Sequence, residues 1–130
     1  MIVLDTCAIL FDALNPERLT QKAKKAIDEA EEQRKLYCCD ISLWEIAMLI
    51  QKKRCNPGIE TQRFLDLILK ARHIQLLSIS TEIAAISCTN VFKHEDPSDR
   101  IIAATAMYHR AKLITSDKKL TDIPGLEIIW

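Results

Sequence analysis

Four carboxylates of this chain stand where their surroundings could make them reactive. Asp5 closes the apolar run MIVLD and Asp117 closes KLITSD. Glu45 is the single charge inside LWEIAMLI (residues 43–50), and Asp99 lies in DPSD (96–99). A carboxylate walled by Leu43, Trp44, Ile46 and Met48 costs free energy unless something compensates it. Clustered anions also raise one another's pKa values. A hard divalent cation removes both problems: Mg2+ or Mn2+ takes carboxylate oxygens and water and keeps positions open for a phosphate. His73, His94 and His109 are scattered, so no histidine cluster offers a zinc alternative, and all three read as surface or structural residues.

Each acid also has a plainer reading. Asp5 and Asp117 could terminate strands, since Asp is common in turns. Ser42 and Glu45 have the spacing of a capping box in the first turn of a helix. Asp96, Pro97 and Asp99 suit N-cap, N1 and N3 of another helix, and Asp96 is assigned to that role outright. Helix dipoles stabilise such acids by only about 0.3–1 kcal/mol each. That is too little to explain four of them on one side of a fold.

The elements that must position these acids are legible in the patterning. MIVLD (1–5), LYCCD (36–40), IQLLSIS (74–80), KLITSD (112–117) and LEIIW (126–130) are short, nearly continuous apolar runs bounded by polar residues. Such runs suit strands covered on both faces. Cys38 and Cys39 should point to opposite faces of theirs. Between the strands lie helical stretches at 17–35, 42–54, 59–72, 81–92 and 96–111. The alternation predicts β-α-β units: a three-layer α/β/α sandwich around a central, mostly parallel sheet of about five strands. Ligands of open parallel sheets bind outside the carboxyl ends of the strands, where strand order reverses. If the first and fourth strands are neighbours there, Asp5 and Asp117 face one crevice. In RFLDLILKA (63–71) the apolar residues exceed a single stripe, which predicts either a homodimer surface or deep burial.

Composition bounds the rest. At 130 residues and 48% hydrophobic content, residues 1–130 are read as one domain. No apolar run is long enough to span a bilayer, and no leader peptide is evident. Five cysteines without a CxxC pair argue against a disulfide framework or a zinc ribbon. The expected location is the cytoplasm. Basic and acidic residues balance at 18 each, unlike many nucleic-acid binders. Setting the four site acids aside leaves 18 basic against 14 acidic residues. Lys22, Lys24, Lys25, Lys52, Lys53, Arg54, Lys118 and Lys119 supply local basic runs, or simply solvated helix faces. That balance predicts modest non-specific affinity and recognition of a substrate by shape.

IVLDTCAIL, SLWEIAML, DPSDRIIAATA and LITSDKKL, in this order, resemble the PIN-domain nucleases, and most of all the VapC-like toxins of bacterial and archaeal toxin–antitoxin pairs. The resemblance spans the whole chain. It implies a three-layer α/β/α fold, Mg2+ or Mn2+ as cofactor, and metal-dependent endonucleolytic cleavage of RNA. It also implies that Asp5, Glu45, Asp99 and Asp117 form the catalytic, metal-binding quartet, with Thr6 and Thr115 as supporting hydroxyls. Cys7 departs from the family, in which many members carry Asn. A cognate antitoxin would place an Arg or Lys in the acidic groove. The principal alternative is a catalytically silent PIN-fold binding or dimerisation module. A phosphotransferase with an Asp nucleophile fits poorly, because the second Asp expected two residues on is replaced by Cys7.

Overall fold

The computed structural model describes residues 1–93 and 96–130; the reading of His94 as a surface or structural residue lies outside them. Five strands, β1 (Ile2–Leu4), β2 (Leu36–Cys39), β3 (Gln75–Leu77), β4 (Lys112–Ile114) and β5 (Ile128–Ile129), alternate with six helices. These are α1 (Thr6–Leu14), α2 (Gln21–Glu32), α3 (Ile41–Gln51), α4 (Thr61–Ala71), α5 (Thr81–Ser87) and α6 (Pro97–Tyr108). The sheet order is β3-β2-β1-β4-β5, and every pairing is parallel. The three-layer sandwich and all five strands therefore stand as the apolar runs indicate.

Successive strand residues point to opposite faces, and each face has its own core. Leu4, Cys38, Ile114 and Ile129 meet α1, α2 and α4 on one side. Val3, Cys39 and Leu113 meet α5 and α6 on the other. The two adjacent cysteines thus divide between the layers, both buried. Helix α3 lies between the two cores, giving Ile46 to the first and Ile41 to the second.

Four helices end on a non-glycine residue in the left-handed region: Arg34, Lys53, His73 and Arg110, with φ between 53° and 59°. Around each, the backbone closes paired bonds, such as Arg110 N–H to Met107 and Ala111 N–H to Ala106 at 3.1 and 2.8 Å. This is the Schellman arrangement. A chain with two glycines ends its helices here on polar side chains, at a steric cost of about 1–2 kcal/mol each. His73 has this structural role.

Three helices differ most from the sequence pattern. The stretch 6–14, not assigned as a helix from the pattern, is α1, beginning directly after Asp5. The expected helix at 17–35 is shortened to α2, because the Thr20 hydroxyl accepts from Ala23 N–H at 3.1 Å and starts the helix there. The expected helix at 81–92 stops at Ser87. The hydroxyls of Ser87 and Thr89 donate to Ala84 and Ile86 carbonyls at 2.7 and 2.8 Å, competing with the helical ladder.

In α4, Phe64 and Ile68 are buried and Leu65 and Leu69 pack beside them, leaving Leu67 exposed. The chain's own core absorbs most of the apolar surplus. Among the described residues, no helix is long and apolar enough to cross a membrane.

Candidate active site: an acidic crevice at the switch point

Strand order reverses between β1 and β4, which pair directly from Ile2–Lys112 to Leu4–Ile114. The crevice beyond their carboxyl ends is the switch point of the sheet. Asp5 follows β1 and is held there by its amide, which donates to the Ile114 carbonyl at 3.1 Å. Its side chain is only 8% exposed. One carboxyl oxygen caps α1 by accepting from Ala8 N–H at 2.7 Å. The plain reading of Asp5 as a turn residue is thus part of the truth: it is an N-cap.

Thr115 ties Asp5 to Asp117. Its oxygen accepts from the Asp117 amide at 3.1 Å, and its side chain hydrogen-bonds the Asp5 carboxyl. With the oxygen accepting from the amide, the hydroxyl proton is the one directed to Asp5. Burial nevertheless pushes the Asp5 pKa up from 3.8 to about 6, with the Thr115 and Ala8 bonds opposing and the Glu45 and Asp117 charges adding to the rise. Asp117 also caps a 3-10 turn over Lys118–Leu120, accepting from Lys119 N–H at 2.9 Å.

Glu45 is not in a capping box. Asp40 already has helical dihedrals (φ −60°, ψ −26°) and occupies the N-cap without a side-chain bond. Helix α3 therefore starts early, Ser42 becomes an interior residue, and Glu45 moves to the second turn. Ser42 is fully buried, 3.0 Å from the Thr6 hydroxyl. Thr6 donates a short hydrogen bond to the Glu45 carboxylate. Since Thr6 has one hydroxyl proton, Ser42 must donate to it in turn. Burial raises the Glu45 pKa, Thr6 and Ser98 hydrogen bonds lower it, and the Asp96 charge raises it.

Asp99 lies in the first turn of α6, behind Pro97 and the N-cap Asp96, whose carboxylate accepts from Ser98 N–H at 2.9 Å. The capping role assigned to Asp96 holds. Three of the four acids lie close enough to Cys7 for their charges to act on it. Desolvation and then the charges of Asp5, Asp99 and Glu45 push its thiol up to about 11.

The site hydrogen bonds of Ser42 and Ser98 and the approach of Asp96 to Glu45 are missing from the sequence reading, which names Cys7 only as a departure from the family. Ser42 sits inside SLWE, where it reads as a local cap, and Ser98 inside DPSD, where it has no reading of its own. Beside Glu45 lies a groove of about 530 Å3, walled by Ile41, Trp44, Met48, Asp96, Pro97, Ser98 and Ile101.

The donors at the crevice are hard carboxylate oxygens, and Cys7 stays a neutral thiol at pH 7. This chemistry fits an Mg2+-class cation rather than a soft metal. Among the described residues, no three His, Cys, Asp or Glu side chains converge closely enough to form a finished cage.

An open, doubly wound parallel sheet with an acidic crevice at its switch point defines a class of α/β proteins, not one activity. The sequence matches the PIN domain family over residues 2–126. It is 31% identical over 121 residues to Ribonuclease VapC22 of Mycobacterium tuberculosis, covering 92% of this chain and 88% of that one. The chain therefore belongs to the PIN domain family, as its motifs suggest. Its fold is similar to VapBC2 from Rickettsia felis bound to a DNA fragment from their promoter (TM-score 0.73, 18% identity, 98% and 97% of the two chains). It is also similar to a toxin–antitoxin complex from Klebsiella pneumoniae (TM-score 0.64, 23% identity, 97% and 95%).

Proposed function

We propose that this chain, a single domain over residues 1–130, is a metal-dependent endoribonuclease and the toxin of a toxin–antitoxin pair. The observation that carries the reading is the position of Asp5 at the switch point of the sheet, where burial holds its pKa near 6 and the charges of Glu45 and Asp117 act on it as well. The likeness to Ribonuclease VapC22 supports it.

Asp5, Glu45, Asp99 and Asp117 would hold Mg2+ or Mn2+. When bound, such a cation supplies a more acidic water and neutralises phosphate oxygens. The chain's own residues do the positioning. Thr115 fixes Asp5 relative to Asp117, while Ser42 and Thr6 form a buried relay that fixes the Glu45 carboxylate. Cleavage is by attack on phosphorus with expulsion of the 3′ oxygen, so a preference for RNA comes from binding rather than from the 2′-OH. The balanced charge favours a structured RNA recognised by shape. The antitoxin would set an Arg or Lys against the acids, and the exposed surface around Leu67 would serve a second copy in a homodimer. The working location is the cytoplasm.

That no three potential ligands among the described residues form a ready metal site favours one rival, a catalytically silent PIN-fold binding or dimerisation module. Incubation with total RNA separates the two readings. Cleavage that requires Mg2+ or Mn2+, stops in EDTA and is lost in Asp5→Asn, Glu45→Gln, Asp99→Asn and Asp117→Asn supports the nuclease. Absence of cleavage with either ion refutes it in favour of the module. The toxin role fails if expression causes no growth arrest and no small protein co-purifies.

A further inference from the structure

Trp44 is 57% exposed, although it sits between Leu43 and Glu45 in the most apolar helix of the chain. The exposed indole presents a flat apolar face to a groove. Its groove holds about 530 Å3, within the roughly 300–1,000 Å3 of small-ligand pockets. Ile41, Met48, Pro97 and Ile101 form apolar walls, and Glu45 and Asp96 bring carboxylates to it. Glu45 belongs to this groove and to the acidic crevice alike, so an occupant lies one side chain from the proposed reaction centre.

Charge selects the occupant. Among the described residues, no Lys or Arg lines the groove to hold a phosphate, whereas its carboxylates can accept from a neutral ring with amino donors. A base inside a duplex cannot lie on the indole; an unpaired one can.

We propose that this groove is a nucleobase subsite, in which one unpaired base of the RNA stacks on Trp44 with its amino edge toward the carboxylate wall. The subsite rests on the ribonuclease reading and deepens it. It selects single-stranded or looped RNA, and amino-bearing bases over uracil, because carboxylates accept from exocyclic amines. Base–aromatic stacking is sequence-tolerant and is lost on substitution by alanine.

The chain has two tryptophans, and the other, Trp130, packs near Phe11 with ring centroids 6.3 Å apart. Trp130→Phe therefore leaves Trp44 as the sole reporter. In EDTA, oligoadenosine and oligocytidine should quench its emission saturably, oligouridine more weakly, and duplex RNA not at all. With Mn2+ and a looped RNA that the wild type cleaves, Trp44→Ala should raise KM about 5- to 160-fold, the equivalent of about 1–3 kcal/mol of stacking. In that variant kcat should stay within about twofold, and Trp44→Phe should recover most of the loss. Cleavage by the wild type with no quenching and an unchanged KM in Trp44→Ala overturns the subsite and leaves the ribonuclease reading intact. Loss of antitoxin or dimer association in Trp44→Ala at unchanged KM assigns the groove to a protein and overturns it as well. Absence of any cleavage by the wild type removes both readings.

Discussion

Asp5→Asn should stabilise the metal-free protein while abolishing its response to metal. The folded-state pKa of Asp5 rises from 3.8 to about 6. A shift of about two units at 1.36 kcal/mol per unit amounts to roughly 3 kcal/mol of strain when the group is ionised. Because the shift is upward, the folded state binds the extra proton between about pH 4 and 6. Stability is thus fully present below the unfolded pKa and is lost as pH rises through the folded one. Asn keeps the cap on Ala8 N–H, being as good an N-cap as Asp. Its amide NH2 needs a new acceptor, at a cost of about 1–2 kcal/mol. The net gain at pH 7.5 in EDTA is therefore about 1–2 kcal/mol. At roughly 3–5 °C per kcal/mol for a domain of this size, Tm rises by about 3–10 °C. Wild type at ten times the metal Kd gains about 1.4 kcal/mol, and the variant gains none. Thermal unfolding from pH 4 to 8, with EDTA and with saturating Mn2+, reads all of this. The difference between the two proteins should open between pH 4 and 6 and level off above. A variant that is less stable than wild type in EDTA at pH 7.5 and still stabilised by Mn2+ refutes the reasoning.

Thr6→Val removes a donor that lowers the Glu45 pKa, so the acid limb of the pH–rate profile should move to higher pH. It also leaves the buried Ser42 hydroxyl without its acceptor, and stability should fall by about 1–3 kcal/mol in urea unfolding. Arg72 grips both oxygens of Asp12 at 2.9 and 2.8 Å and reaches Asp28 and Glu31 at 2.8 and 2.9 Å, tying the end of α4 to α1 and α2. Arg72→Ala should cost about 1–3 kcal/mol by urea unfolding, less in 1 M salt, and Arg72→Lys should recover under half of it because Lys cannot make the fork. Cys7, with its thiol near 11, should react with iodoacetamide at pH 8 about 100-fold more slowly than a free cysteine. A divalent cation that neutralises the surrounding acids should speed that reaction, as mass spectrometry will show.

The five strands and the layer order were legible because parallel strands covered on both faces must be apolar throughout, and the helices between them carry a different period. Asp5 and Asp117 could be placed at strand ends, and Glu45 picked out inside LWEIAMLI, because carboxylates there break that pattern. Helix α1 was not legible, because Asp5 ends the strand and caps the helix at once, leaving no loop residues to mark a boundary. Nor was the environment of Glu45. The local spacing SLWE fits a capping box, but the N-cap falls at Asp40, two residues sooner, and the long-range bonds of Thr6 with Ser42 and Glu45 override the local option.

Residue order alone thus determined which elements form and which carboxylates stand at their ends, since both follow from burial patterns a few residues long. Only the tertiary structure decided that β1 and β4 are neighbours, and with that how far Asp5 is desolvated, which hydroxyls hold it and Glu45, and that Trp44 opens onto a groove. Those properties depend on contacts between residues tens of positions apart, and no local pattern encodes their distances.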